Sequence, residues 1–268
     1  MDDATLVLDS DMGEPELYRL GAGCAVVFSA RSPGKATPNE DAAALVPIDP
    51  GSSVLAVADG LGGSRAGEEA AALAVRCLTE ALAPPVRSSS LLRDAILNGF
   101  ERANRAVREI GGGAATTLAV VEIQEDVVRP YHVGDSTILL MGQRGRVKLQ
   151  TVSHSPVGFA VEAGVLDEAE ALHHDERHVV SNVLGGPDMR IEIGPVLHLA
   201  AHDTLLLASD GLADNLHTEE IVECIRKGPL EAGGRRLARE AHRRMAGPSP
   251  QEPCKPDDLT FVAFRLSR

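Results

Sequence analysis

The sequence predicts an α+β fold of layered sheets and helices, and three observations carry that reading. Short continuous apolar runs at 54–58 (VLAVA) and 204–208 (TLLLA) have the length and composition of strands buried on both faces. Two long stretches, one from Ser64 to Pro84-Pro85 and one from about Ser89 to Ile110, instead repeat apolar residues at helical spacing. Between residues 116 and 151, four strand-like runs follow one another with only turn residues between them, which argues antiparallel meanders rather than βαβ units.

Each element has its own local cause. Residues 22–30 (AGCAVVFSA) read as a strand that gives way to the Pro/Gly/Ser-rich loop from Arg31 to Pro38. The run at 54–58 stops at Asp59-Gly60, and Gly60, Gly62 and Gly63 make a turn. Ser64 then caps a helix whose early turns carry Glu68 and Glu69, where the helix dipole favours negative charge. Leu73, Cys77, Leu78, Ala81 and Leu82 form its apolar stripe, and Pro84-Pro85 stops it. In the next helix Leu92, Ile96, Phe100, Ala103, Val107 and Ile110 face inward, and Gly111-Gly112-Gly113 ends it. Strands are expected at 116–123, 127–133, 137–141 and 146–151. Residues 153–187 read as a helical insertion and surface loop. Strand 204–208 follows, then helices at about 219–226 and 230–245, and a last strand at 259–266 (LTFVAFRL). No internal repeat, low-complexity tract or linker divides the chain, so residues 1–21 are expected as an extension and 22–268 as one domain.

Composition narrows the function. The 268 residues are 44% hydrophobic, with a mean hydropathy of −0.03, which suits a large core and excludes disorder as the main state. With no Trp, two Tyr and five Phe, that core is aliphatic. A net charge of −13 argues against nucleic-acid binding and against docking on an anionic membrane, but allows acids to gather around a cation. Cys24, Cys77, Cys224 and Cys254 form no C-x-x-C pair and suit a reducing compartment. The opening MDDATLVLDSDMGEPE lacks the pattern of a signal peptide, and no apolar run reaches the ~18 residues of a membrane span. The expectation is a soluble, cytoplasmic protein, monomeric in the absence of a heptad or apolar patch.

The chemistry-bearing residues share one setting. Asp59 follows VLAVA, Asp210 follows TLLLAS, Asp135 ends a strand in HVGDS, and Asp257-Asp258 precede the last strand. Glu40-Asp41 closes the Pro-rich loop. Strand ends project carboxylates to one sheet edge, where they repel unless a cation lies between them, and such oxygen ligands select Mg²⁺, Mn²⁺ or Ca²⁺. A single Asp-Gly step is an ordinary turn. Spacing alone leaves turn and ligand evenly balanced. The histidines in 173–178 (HHDERH) lack metal-ligand spacing and read as solvated, and the Gly60–Gly63 turn fits no nucleotide-binding pattern.

The order of motifs resembles the metal-dependent serine/threonine protein phosphatases of type 2C in their bacterial form. Carrying it are N-E-D-A (39–42), V-A-D-G-L-G-G (57–63), G-A-A-T-T-L (113–118), V-G-D-S (133–136), S-D-G-L-A-D (209–214) and P-D-D-L-T (256–260). The resemblance spans about residues 22–266. It implies a four-layer α-β-β-α sandwich of two antiparallel sheets flanked by helix pairs, with two Mn²⁺ or Mg²⁺ ions at one end. It further implies that Asp41, Asp59, Asp210 and Asp257 hold the metals with the Gly60 carbonyl, and that Glu40 orders metal-bound water. Asp135 and Asp214 would fit a third, more weakly held ion. A hydroxide bridging two ions would then attack phosphoserine or phosphothreonine, with Glu40, Asp41, Asp59 and Asp210 as the catalytic set. No protein nucleophile would be needed. Phosphoprotein substrates of a serine/threonine kinase are the implied partners.

Departures from the pattern are specific. Ala36 stands where the family places a phosphate-gripping Arg, leaving Lys35 or Arg31 to serve. Leu61 stands where eukaryotic members carry a His, Thr137 replaces the Arg of G-D-S-R, and Ser153 replaces the Asp of D-H-S. The missing Arg raises a second reading, a pseudophosphatase that binds phosphoproteins without turnover. Retention of every metal carboxylate counts against it.

Overall fold

The computed structural model describes residues 4–61, 65–83, 89–167, 170–171, 174–176, 179–247 and 252–267. In chain order the elements are β1 (Thr5–Leu8), β2 (Glu16–Leu20), β3 (Gly23–Ala30), β4 (Asp41–Pro47), β5 (Ser52–Leu61), α1 (Arg65–Ala81) and α2 (Ser89–Ile110). There follow β6 (Ala115–Thr116), β7 (Leu118–Gln124), β8 (Val127–Val133), β9 (Thr137–Met141), β10 (Val147–Gln150) and α3 (Pro156–Glu162). The rest are β11 (Glu192–Ile193), β12 (Leu197–His198), β13 (Thr204–Ala208), α4 (Asp210–Ala213), α5 (Thr218–Ile225), α6 (Leu230–Ala246) and β14 (Leu259–Leu266).

Successive strand side chains point to opposite faces, and here both faces are apolar. From β5, Val54, Ala56 and Ala58 pack on Ala74, Leu78, Ile96 and Phe100 of α1 and α2. Leu55 and Val57 point the other way, into a core shared with Val27, Leu207, Val262 and Phe264 of the second sheet. That sheet turns Phe28, Leu206 and Phe261 outward onto Ile221, Ile225 and Leu237 of α5 and α6. The layers are therefore α-β-β-α, as the resemblance implies. The first sheet runs β1-β4-β5-β7-β8-β11, with β12 also on β8 and β6 on β5. The second runs β10-β9-β13-β14-β3-β2, and the pairings in both are antiparallel.

Residues 5–8 and 16–20, ahead of the expected boundary at 22, form strands of the sandwich. β1 pairs with β4 from Thr5↔Leu45 to Leu8↔Ala42, and β2 forms a hairpin with β3. These short edge strands bury little more than Val7 and Leu20, and the one apolar run they carry, Leu6-Val7-Leu8, is only three residues long. The insertion at 153–187 is also less peripheral than expected. It begins with α3, capped by the Ser155 hydroxyl on the Gly158 N–H, and returns to the core at Leu184, which bridges to Thr116. α2 ends as expected, with Gly111 at a φ of +74° that side chains disfavour. The Ser64 cap, the Pro84-Pro85 stop, His173 and His178 lie outside the described residues.

Candidate metal centre

β4 and β5 are neighbours in register, so Asp41 lies directly opposite Asp59. The second sheet meets them from its own strand ends. Ser209, following β13, donates its hydroxyl to Asp41 Oδ2 at 2.7 Å, and the Asp210 N–H points at Asp59 Oδ2 at 3.4 Å. Asp210 opens α4 and Asp214 closes it, so the two carboxylates stand one turn apart. Asp257 precedes β14, and Asp135 sits in the β8–β9 loop. The structure thus brings Asp41, Asp59, Asp135, Asp210, Asp214 and Asp257 to one end of the sandwich.

Close backbone approach makes this possible. A Cβ on Gly60 would lie 2.1 Å from the Gly67 carbonyl, so only glycine lets the first turn of α1 seat against β5. At Gly211 a Cβ would lie 1.9 Å from the Asp258 carbonyl, where α4 meets the loop that carries Asp257.

The electrostatics are one-sided. Burial holds the Asp41 and Asp59 carboxyls well above the usual carboxylate range; for Asp59 the charges of Asp210 and Asp41 add to it. Asp135 is pushed up to about 7, by burial first and then by Asp210 and Asp214. Burial also raises Asp210 and Asp257, and the Lys255 ammonium opposes the rise. That ammonium lies 2.7 Å from Asp210, 2.8 Å from Asp214 and 3.1 Å from Asp257.

Six converging carboxylates against one ammonium leave charge that protons or bound cations must balance. The donor set is oxygen throughout, which suits hard divalent ions. Glu40 adds an independent sign: its Oε2 accepts from Lys35 Nζ at 2.7 Å, while its Oε1 is buried without a partner. A buried, unsatisfied carboxylate oxygen beside Gly60, whose N–H donates to the Glu40 carbonyl, fits a site for a cation and its water.

The two cations proposed from sequence as phosphate grips part company. Lys35 stands at the rim of the centre, its Nζ on Glu40 and, at 2.5 Å, on Asp258. Arg31 turns away to Asp11, which accepts from its Nη2 at 2.6 Å and from its Nε at 3.1 Å. Sequence reasoning passed over Asp258, grouped there with its neighbour. Its buried carboxylate accepts the N–H groups of Ser32 and Glu40 at 2.8 and 2.7 Å, tying the Pro-rich loop to β14. Lys255 was missed as well, since a lysine two residues after a proline carries no local signal.

A cavity of about 340 Å³ adjoins the centre beneath α3. Asp135 and Asp214 mark its acidic side, Leu206 and Leu212 its apolar side, and Thr137 and Ser153 both line it. Further along, His132, His154 and Glu192 bring potential ligand atoms within 4.8 Å of one another. His154 Nδ1 accepts the Gly134 N–H at 3.1 Å, which places its proton on Nε2, 3.0 Å from Glu192. His132 Nε2 donates to the Val152 carbonyl. With those protons in place the stacked rings serve as a hydrogen-bonded prop and not as metal ligands.

Comparison with known proteins decides the family. The family model described as Protein phosphatase 2C matches residues 13–244. The chain belongs to this family. It is 32% identical to protein phosphatase PhpP of Streptococcus pneumoniae over 183 residues, 65% of this chain and 73% of that one. Among solved structures, the S. agalactiae serine/threonine phosphatase superposes with a TM-score of 0.78 at 27% identity, over 91% of this chain and 99% of that one. The catalytic domain of the serine/threonine phosphatase PstP, solved in complex with two manganese ions, superposes with a TM-score of 0.70 at 26% identity, over 91% and 98%. The phosphatase 2C match begins at residue 13, ahead of the boundary at 22 expected from the sequence.

Proposed function

We propose that this phosphatase 2C member hydrolyses phosphoserine and phosphothreonine in proteins, using Mn²⁺ or Mg²⁺ held by the acidic centre. The observation that carries the reading is the convergence of six carboxylates from both sheets, with one ammonium among them. The manganese-bound relative supports the choice of metal. Asp41, Asp59, Asp210 and Asp257 would hold two ions, with the Gly60 carbonyl as a further oxygen. When bound, such ions supply Lewis acidity and lower the pKa of water, so the protein needs no nucleophile of its own.

The chain's own residues position this chemistry. Ser209 fixes the Asp41 carboxylate by donating to its Oδ2. Lys35 and Asp258 hold Glu40 so that its Oε1 stays unpartnered, ready to accept from water. Leu61 has no proton to give the leaving oxygen, which leaves that task to solvent at the centre. Lys35, at the rim, would meet a phosphate as a point charge without the fork of an arginine. Unpaired Cys24, Cys77, Cys224 and Cys254 support a reducing, cytoplasmic setting. Among the described residues no helix is long and apolar enough to cross a membrane. A monomer acting opposite a serine/threonine kinase completes the reading.

The test is hydrolysis of p-nitrophenyl phosphate and a phosphothreonine peptide with Mn²⁺, Mg²⁺ or EDTA. Wild type should require the metal, and Asp59→Asn and Asp210→Asn should each lose about 100-fold or more, a loss of roughly 3 kcal/mol in transition-state stabilisation. Unchanged rates in these variants, or activity indifferent to EDTA, would refute it. Tight phosphopeptide binding without turnover would make the protein a pseudophosphatase instead.

A further inference from the structure

The placement of Lys255 is built into the main chain. Asn215, fully buried just beyond α4, accepts the Lys255 N–H on Oδ1 at 2.9 Å and donates Nδ2 to the Lys255 carbonyl at 2.8 Å. The same Nδ2 donates to the Gly211 carbonyl at 2.9 Å, locking this clamp to α4 itself. The backbone of residue 255 is thereby held on both sides against the helix that presents Asp210 and Asp214. Its side chain, only 23% exposed, runs from that fixed point into the space between Asp210, Asp214 and Asp257.

A third divalent ion has no room there. Mg²⁺ demands oxygens at about 2.0–2.1 Å in near-octahedral array. The ammonium already lies 2.8 Å from Asp214, one of the two carboxylates expected to hold such an ion, and 2.7 and 3.1 Å from the neighbouring Asp210 and Asp257. An ion inserted among them would face a like charge at a few ångströms, in a partly buried setting where repulsion is strong. Asp214, one of two residues expected from sequence to hold the third ion, faces the lysine as an ion pair, its Oδ2 2.8 Å from Nζ but outside hydrogen-bond geometry.

We infer that Lys255 is a tethered cation that fills the outer, Asp210–Asp214–Asp257 side of the acidic centre, so that this chain binds two divalent ions and not three. This inference rests on the metal reading above. Lys255 touches the carboxylates, so it is a positioning residue. It holds Asp210 and Asp257 toward Asp41 and Asp59 with a charge that cannot dissociate.

The experiment counts Mn²⁺ per chain by equilibrium dialysis and atomic absorption for wild type, Lys255→Met, Lys255→Arg and Asp214→Asn. Two ions are expected in wild type, Lys255→Arg and Asp214→Asn, and three in Lys255→Met. Three ions in wild type, falling to two in Asp214→Asn, would overturn the inference. So would two in Lys255→Met at every Mn²⁺ concentration the protein tolerates. If Lys255→Met fails to fold, the wild-type and Asp214→Asn counts decide alone. Hydrolysis of p-nitrophenyl phosphate by the same preparations separates the two readings. Two bound ions without hydrolysis would refute the phosphatase and spare Lys255, whereas no bound ion would overturn both.

Discussion

Replacing Asp135 by Asn should stabilise the metal-free protein, and the gain should grow with pH. Asp135 titrates near 7 in the folded chain, against the ordinary 3.8, because it is buried and faces Asp210 and Asp214. The folded state therefore binds this proton more tightly than the unfolded chain does. The sign follows: stability falls as pH rises from about 4 to about 7, where the folded protein at last gives the proton up. A rise of about three pH units corresponds to about 4 kcal/mol at 1.36 kcal/mol per unit. Of that, about 2–3 kcal/mol develops between about pH 5 and pH 8. Asparagine keeps the shape and removes the charge, so Asp135→Asn should escape this loss. Urea unfolding in EDTA at the two pH values, for wild type and variant, measures the difference directly. Titration of His132 and His242, both lowered by burial, cancels in the comparison. Manganese should shrink or reverse the variant's advantage. An Asp135→Asn protein no more stable than wild type in EDTA at the higher pH, or equally favoured at both, would refute the account of the centre as uncompensated negative charge.

Other expectations follow from single contacts. Asn215→Ala deletes three buried hydrogen bonds at about 0.5–1.5 kcal/mol each, so urea unfolding in EDTA should show a loss of about 2–4 kcal/mol. A loss well under 1 kcal/mol would mean that the clamp on Lys255 is not formed. Tyr131→Phe removes the 2.6 Å bond from the buried Tyr131 hydroxyl to Glu122. It should cost about 1.5–3 kcal/mol in the same assay while leaving p-nitrophenyl phosphate hydrolysis unchanged, since the bond joins β8 to Glu122 of β7, which is not among the carboxylates of the centre. A matching fall in hydrolysis would count against this separation.

What could be read in the sequence was whatever local pattern determines. Strand 204–208 and strand 259–266 match β13 and β14 residue for residue, because buried central strands are apolar on both faces. Asp59 and Asp210 stood out because each follows such a run, and Asp41 because it closes the Pro-rich loop. The edge strands β1 and β2 did not, since β1 offers only the three-residue run Leu6–Leu8 and the exposed Glu16, Leu17 and Arg19 leave β2 without a pattern. The two-residue β11 and β12 and the one-turn α4 are too short for any period to show. Lys255 and Asp258 act through partners 40 and more than 200 residues away, so no window around either could have exposed them. The histidine segment that drew notice was 173–178, while the buried stack joins His132 to His154 across separate elements.

The position of β14 has a consequence for how the molecule is made. It inserts between β13 and β3, so residues 259–266 join two halves of a sheet that were translated far apart in time. At about 5–20 residues per second, the β2–β3 hairpin waits many seconds for its partner while the first sheet and its helices assemble. Lys255, Asp257 and Asp258 arrive on the same late segment. The nascent chain thus never presents a finished cation trap, and the acidic end becomes competent in the step that closes the sheet.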